Sequence, residues 1–195
     1  MSSENPTTRT RILDATWTLL ESGGSKVRMS DIAKAAGISR QAVYLHFPSR
    51  ADLLVATTRH IDAAKDIDDR LAASRSATSG PERLASFIDA WGTYIPEIYG
   101  VGRALMAMQD SDEEARKAWA GRMEALRQGC AAAVAAIAAD GALRSDLTQT
   151  RATDTLWMLL SVRNWEQLTR QSGWLQADYL AAMQDLARRA LIADR

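Results

Sequence analysis

Cysteine is almost missing from this 195-residue chain; there is one, Cys130. A single cysteine cannot close an intramolecular disulfide, so a secreted fold built on disulfides is excluded. Histidine is nearly as scarce. Two histidines and one cysteine give no zinc-site spacing, so no metal is expected. No glycine-rich phosphate loop and no nucleophile motif occurs. No catalytic residue and no cofactor is therefore expected, and the chain does not read as an enzyme. Long apolar runs are also absent. The longest, Ala131–Ala139 and Leu156–Leu160, are far too short to cross a bilayer. The opening MSSENPTTRTRIL is polar and lacks the apolar region of a signal peptide. A cytoplasmic location without a membrane partner is the expectation.

Net charge is absent as well, since 24 Lys and Arg balance 24 Asp and Glu. Any field that steers a charged partner must then be local. Residues 1–60 hold eight basic and five acidic residues, a small positive surplus at the N-terminal end. Proline occurs four times, and hydrophobic residues make up 47%, a globular composition rather than a disordered one. No segment alternates with period 2, so no strand is expected.

What remains is helical periodicity. Ile12, Leu13, Ala15, Thr16, Leu19 and Leu20 share one face of a first helix, opened by Thr7 or Thr8 and ended near Gly23-Gly24. A second helix runs from about Met29 to Ala36, with either Arg28 or Ser30 at its start, and Gly37 breaks it. Ser39 caps a third, Arg40 to Phe47, which Pro48 stops. Ser49 caps a fourth that continues to about Ala73. A loop over 74–81 precedes a fifth helix, which Pro96 and Gly100-Val101-Gly102 interrupt before a short segment at 103–109. Ser111 with Glu114 suggests a capping box for a long helix ending at Gly141. Two more helices follow, over about 150–171 and 176–193. The fold class is all-α with about nine helices. Residues 1–50 form a three-helix, helix-turn-helix domain, and residues 51–195 a larger helical domain.

Two helices joined by a tight glycine turn present the second on a surface that fits the major groove of B-DNA. Ser39, Arg40, Gln41 and Ala42 open that helix, nearest the bases. Arg40 suits guanine or phosphate, Gln41 suits adenine, and Ala42 permits close approach or a thymine methyl contact. Tyr44 and His46 lie further along, in reach of the backbone. Arg50 sits in the first turn of the fourth helix, where free N–H groups already favour phosphate. Arg28 is a further candidate phosphate contact through its charge. Val43 and Phe47 face inward.

The stretch resembles the DNA-binding domain of the tetracycline-repressor (TetR) family of bacterial transcriptional regulators. The matching residues are Ile12-Leu13-Asp14-Ala15, Ile32-Ala33, Ala36-Gly37-Ile38-Ser39, Val43-Tyr44, His46-Phe47, Ser49-Arg50 and Leu53-Leu54. The chain departs from the family at Arg28, where a capping Thr or Ser is usual, and carries Arg50 where the family usually has lysine. The resemblance implies a homodimer joined by the last two helices. It also implies a C-terminal body that encloses a small-molecule effector. A tilt of the fourth helix on effector binding then changes the spacing of the two reading heads on a near-palindromic double-stranded operator. A repressor is the leading expectation. An activator, a ligand-independent regulator, or an all-α small-molecule-binding module without an operator stands beside it.

Phe87, Trp91, Tyr94, Met106, Trp119, Met123 and Trp157 concentrate on the helices of the larger domain. For each alone, core packing is the commoner fate. Together they are the candidate lining of an apolar, aromatic effector pocket, suited to a hydrophobic, planar or cationic molecule. Asp89 and Glu97 lie on one of these helices, where solvent exposure is the simpler expectation. Cys130 falls on an apolar face and reads as a buried, inert thiol.

Overall fold

The protein is known from a computed structural model that describes residues 7–22 and 27–193. Among these residues there is no strand; one isolated bridge pairs Leu143 with Ile192. The Gly23-Gly24 stop lies outside the described residues. In chain order the helices are α1 (Thr8–Glu21), α2 (Met29–Ala35), α3 (Arg40–His46), α4 (Arg50–Ala64), α5 (Ile67–Arg70), α6 (Ala72–Ser76), α7 (Gly80–Met108), α8 (Glu113–Ala139), α9 (Gln149–Leu159), α10 (Val162–Trp165) and α11 (Gln176–Leu191). A π-helical turn, Glu166–Gln171, follows α10. None of the described helices is long and apolar enough to cross a membrane.

The chain divides into two compact units. One holds the residues up to Lys65 together with Glu97–Gly121; the other holds Asp66–Pro96 and Arg122 onward.

In the first unit, Ile12, Leu20, Ile32, Val43, Phe47, Leu53, Leu54 and Ile61 are buried and make the core under α1 to α4. The helices α1, α3 and α4 each start on a side-chain cap. Thr7 accepts from the Thr10 amide, Ser39 from that of Ala42 and Ser49 from that of Asp52. The end of α7 belongs here. Glu97 pairs with Lys65 at 3.0 Å, and a Cβ on Gly100 would lie 2.6 Å from the carbonyl oxygen of Leu20. His60 bonds Asp14 at 2.7 Å and meets the Trp17 ring edge-on.

In the second unit, Leu84, Ile88, Ile95, Leu126, Cys130, Val134, Ile137, Leu156, Leu160, Trp165, Tyr179 and Met183 are buried. Burial pushes the Cys130 thiol up to about 12 from an ordinary value near 9. The neutral thiol is favoured in the fold. That contribution to stability is complete below the unfolded value and is lost as pH rises from there through about 12. Cys130 should therefore resist a thiol reagent such as dithionitrobenzoate at pH 8 and react fully only after denaturation. A fast stoichiometric reaction of the folded protein would contradict its burial.

Several boundaries differ from those the sequence suggests. The fourth helix does not reach Ala73. It stops at Lys65, because Asp66 adopts a left-handed conformation with φ 43°, and two short helices follow. The long α8 is capped by Asp112, not Ser111; its carboxylate accepts from the amides of Glu114 and Ala115. The helix over 150–171 is broken at Leu160, and Ser161 caps a new start.

The interruption expected at Pro96 does not occur, and α7 runs through it. A proline at this position withholds the N–H that would bond the carbonyl four residues earlier, that of Gly92. Gln176 replaces it, donating Nε2 to the Gly92 oxygen at 2.8 Å. The Gln176 amide oxygen in turn accepts from Trp165 Nε1 at 2.8 Å. The helix survives because another helix supplies the missing donor.

Candidate nucleic-acid interface

The turn between α2 and α3 is built by Gly37, whose φ of 66° suits glycine. Its effect is to let the Ile38 amide reach back to the Ala33 carbonyl at 3.0 Å and close α2. Arg28 stands at the N-cap of α2, which settles the start against Ser30. Its side chain has no acceptor to offer. The contact runs the other way, with the Arg28 amide donating to the Asp31 carboxylate at 3.0 Å. The Arg28 side chain is left exposed.

Along α3, Val43 and Phe47 are buried while Arg40, Gln41, Tyr44 and His46 are exposed and Ala42 is half-buried. Ser39 spends its oxygen on the cap, accepting from the Ala42 amide at 3.1 Å. Arg40 folds over Tyr44: the guanidinium lies 5.4 Å from the ring centroid and donates to the hydroxyl at 3.3 Å. This holds two candidate contacts on one flank of the helix. Arg50 is half-buried, and desolvation lowers its pKa from the usual arginine value. It donates Nη1 to the Met108 sulfur at 3.2 Å, at the end of α7.

Two residues that the sequence did not single out join this face. Arg9, on α1, lies 4.4 Å over the Phe47 ring and donates to the His46 carbonyl at 3.4 Å. That carbonyl is one of the unpaired acceptors at the end of α3, so Arg9 holds the end of that helix. Leu45, in the middle of the exposed face, is 82% accessible. No local pattern flags Arg9, since the contact spans 37 positions of sequence.

Residues 12–57 match the family model for bacterial regulatory proteins of the tetR family. Residues 12–57 thus carry the helix-turn-helix segment of the tetR family. Two characterised relatives agree. One is the HTH-type transcriptional regulator BetI of Rhizobium meliloti, 30% identical over 57% of this chain. The other is the HTH-type transcriptional repressor LfrR of Mycolicibacterium smegmatis, 38% identical over 38% of it. The chain spans only 57% and 37% of the length of those two proteins. Among solved structures, a transcriptional regulator from Saccharomonospora viridis, in complex with choline, superposes with a TM-score of 0.80 at 21% identity, over 95% of this chain and 98% of that one. The fatty acid degradation regulator FadR of Bacillus halodurans gives 0.73 at 17%, over 95% and 96%. These likenesses establish that the chain shares the all-α fold of those two structures along nearly its whole length.

The seven candidate pocket residues do not fall in one unit. Met106 and Trp119 lie in the first, where Trp119 sits over Gly102 at 3.4 Å from a Cβ there. Phe87, Trp91, Tyr94, Met123 and Trp157 lie in the second. Of these, the structure brings Trp91 and Tyr94 together, edge to face with centroids 6.2 Å apart. Trp91 also donates Nε1 to the Leu160 carbonyl at 2.8 Å. Arg70 lies 5.5 Å from the Tyr94 ring centroid, on a face that a cationic ligand would need. Phe87 packs on Gly129, where an added Cβ would come within 2.5 Å of its ring. Trp157 Nε1 is buried without a hydrogen-bond partner, and so is the hydroxyl of Tyr179, a residue the sequence did not single out. Burial raises the Tyr179 phenol well above its usual pKa, so it is a neutral donor. A groove of about 440 Å³ in the same unit is lined by Arg70, Asp89, Thr93 and Gln184 among others, and by none of the seven. Among the described residues no group of His, Cys, Asp or Glu is arranged to hold a metal ion.

Proposed function

We propose that the chain is a DNA-binding transcriptional regulator whose α3 reads the major groove of a near-palindromic operator, acting as a homodimer and, as the leading case, a repressor released by a small effector. The observation that carries this is the two-sided character of α3. Val43 and Phe47 anchor one side, while Arg40, Gln41, Tyr44 and His46 stand exposed on the other, inside the segment that matches the tetR-family model. Arg28, Ser39, Ala42 and Arg50 complete the set of DNA contacts. Residues 1–50 serve recognition and residues 51–195 effector binding and dimerisation.

Exposed apolar side chains support the dimer. Met158 on α9, Trp174 and Leu175 ahead of α11, and Leu186 on α11 are all uncovered in the single chain. An effector is supported by the aromatic set of the second unit and by its two buried, unpaired donors, Trp157 Nε1 and the Tyr179 hydroxyl. Such donors favour a molecule with an aromatic-compatible body and a hydrogen-bond acceptor. Choline, bound by one protein of the same fold, and stearoyl-CoA, bound by the FadR of Bacillus subtilis, are sensible first ligands for a thermal-shift panel.

The test is selection of bound duplexes from a random pool, followed by affinity at several salt concentrations. A palindromic consensus is expected. Arg50→Ala should weaken binding to all sequences about equally and reduce the slope of log affinity against log salt by about one. An unchanged slope would remove Arg50 from the phosphate contacts and leave it as a tie to Met108. Failure to enrich any sequence would defeat the regulator proposal itself.

A further inference from the structure

Val43 and Phe47 define the buried side of α3. At about 100° per residue, Leu45 lies roughly 160° from each of them, so it points as directly outward as any residue on the helix. Gln41 precedes it by one turn and lies about 40° away, so the two form the outermost ridge. Arg40 and Tyr44 are engaged with each other on one flank. Leu45 itself is 82% exposed, above the 70% of Leu175. A lone exposed leucine needs no explanation on an ordinary surface. Here it occupies the centre of the face that enters the groove, ringed by Arg40, Gln41, Tyr44 and His46. That ring is too polar to make an apolar patch for another protein. On the major-groove edges of the four bases the apolar group is the C5-methyl of thymine.

We propose that Leu45 is a specificity-determining residue that reads a thymine C5-methyl in each operator half-site. This rests on the DNA-reading role of α3. Gln41 and Leu45 are four residues apart, about 6 Å along the helix. Base pairs rise about 3.4 Å. The thymine therefore lies within about two base pairs of the adenine that Gln41 contacts. A cytosine methylated at C5 carries the same methyl at the same place and can stand in for it.

The probe is the duplex that the wild-type protein selects from a random pool. Each thymine is replaced in turn by deoxyuridine, which removes only the methyl. At one thymine per half-site the wild type should lose about fourfold in affinity, the transfer free energy of one methyl group. Leu45→Ala should bind the thymine and deoxyuridine duplexes with less than about twofold difference, because the methyl no longer has a partner. Replacing that pair with 5-methylcytosine·guanine should be tolerated better than cytosine·guanine by the wild type, and equally by Leu45→Ala. The variant should keep the thermal midpoint of the parent, since an exposed side chain carries little stability. If a consensus emerges and no deoxyuridine position discriminates wild type from Leu45→Ala, the Leu45 assignment is overturned while α3 still reads DNA. If no sequence is enriched, both fall together.

Discussion

Gly100→Ala should destabilise the unit that carries α1 to α4, by about 1–3 kcal/mol. Gly100 lies in the final third of α7, against the end of α1. A Cβ there would meet the Leu20 carbonyl oxygen at 2.6 Å, its carbon at 2.7 Å and the Glu21 amide nitrogen at 3.1 Å. All three are backbone atoms, so no rotamer change relieves the clash. Either α1 or α7 must move. The loss should appear as faster amide exchange in α1 and as weaker DNA binding, because α1 holds the end of α3 through Arg9. Gly121→Ala is the matched control. Gly121 also lies inside a long helix, α8, but an added Cβ there meets nothing within 4 Å. Alanine should raise stability by about 0.5–1 kcal/mol through helix propensity alone. If the two variants behaved alike, the close approach of α7 to Leu20 would not exist.

That contact illustrates where sequence periodicity stops. The helix-turn-helix was legible almost residue by residue as a fold, because its determinants are local. Ser39 and Ser49 cap the helices that follow them, Gly37 turns, and Val43 with Phe47 marks the inner side. The long α7 was not legible. Pro96 reads locally as a break, and only Gln176, distant in sequence, removes the cost by bonding the Gly92 carbonyl. Asp66 was hidden for the opposite reason. Its neighbours have good helical character, yet its φ of 43° ends α4 where no glycine or proline signals an end. The candidate pocket was legible as composition and not as place. Aromatic residues every few positions along α7 mark a stripe, but which of them pack and which could meet a ligand is decided by partners such as Gly129 for Phe87 and Leu160 for Trp91. Leu45 needed the solved face of α3 before its exposure carried meaning.

Trp91→Ala is expected to cost about 3–5 kcal/mol, at the level of a large aromatic truncation in a core. Trp91 is half-buried, which pulls the estimate down, but two specific contacts push it up. Its ring edge packs against Tyr94, and its Nε1–H is the donor to the Leu160 carbonyl. Leu160 is the C-cap of α9, so that carbonyl belongs to a helix end with no intrahelical partner. Truncation thus removes packing and leaves an acceptor unpaired. Trp91→Phe separates the terms: it keeps most of the ring and loses only the hydrogen bond, about 1 kcal/mol. Thermal midpoint, operator affinity and effector-driven release should be read on both variants. With Trp91 as a tie between α7 and α9, stability follows Trp91→Ala ≫ Trp91→Phe, and effector response falls only as the fold loosens. With Trp91 as a ligand contact, Trp91→Phe shifts the effector concentration needed for release by more than its small stability change can explain. A Trp91→Ala protein with an unchanged midpoint would remove the tie altogether and leave effector contact as the reason for a tryptophan at this position.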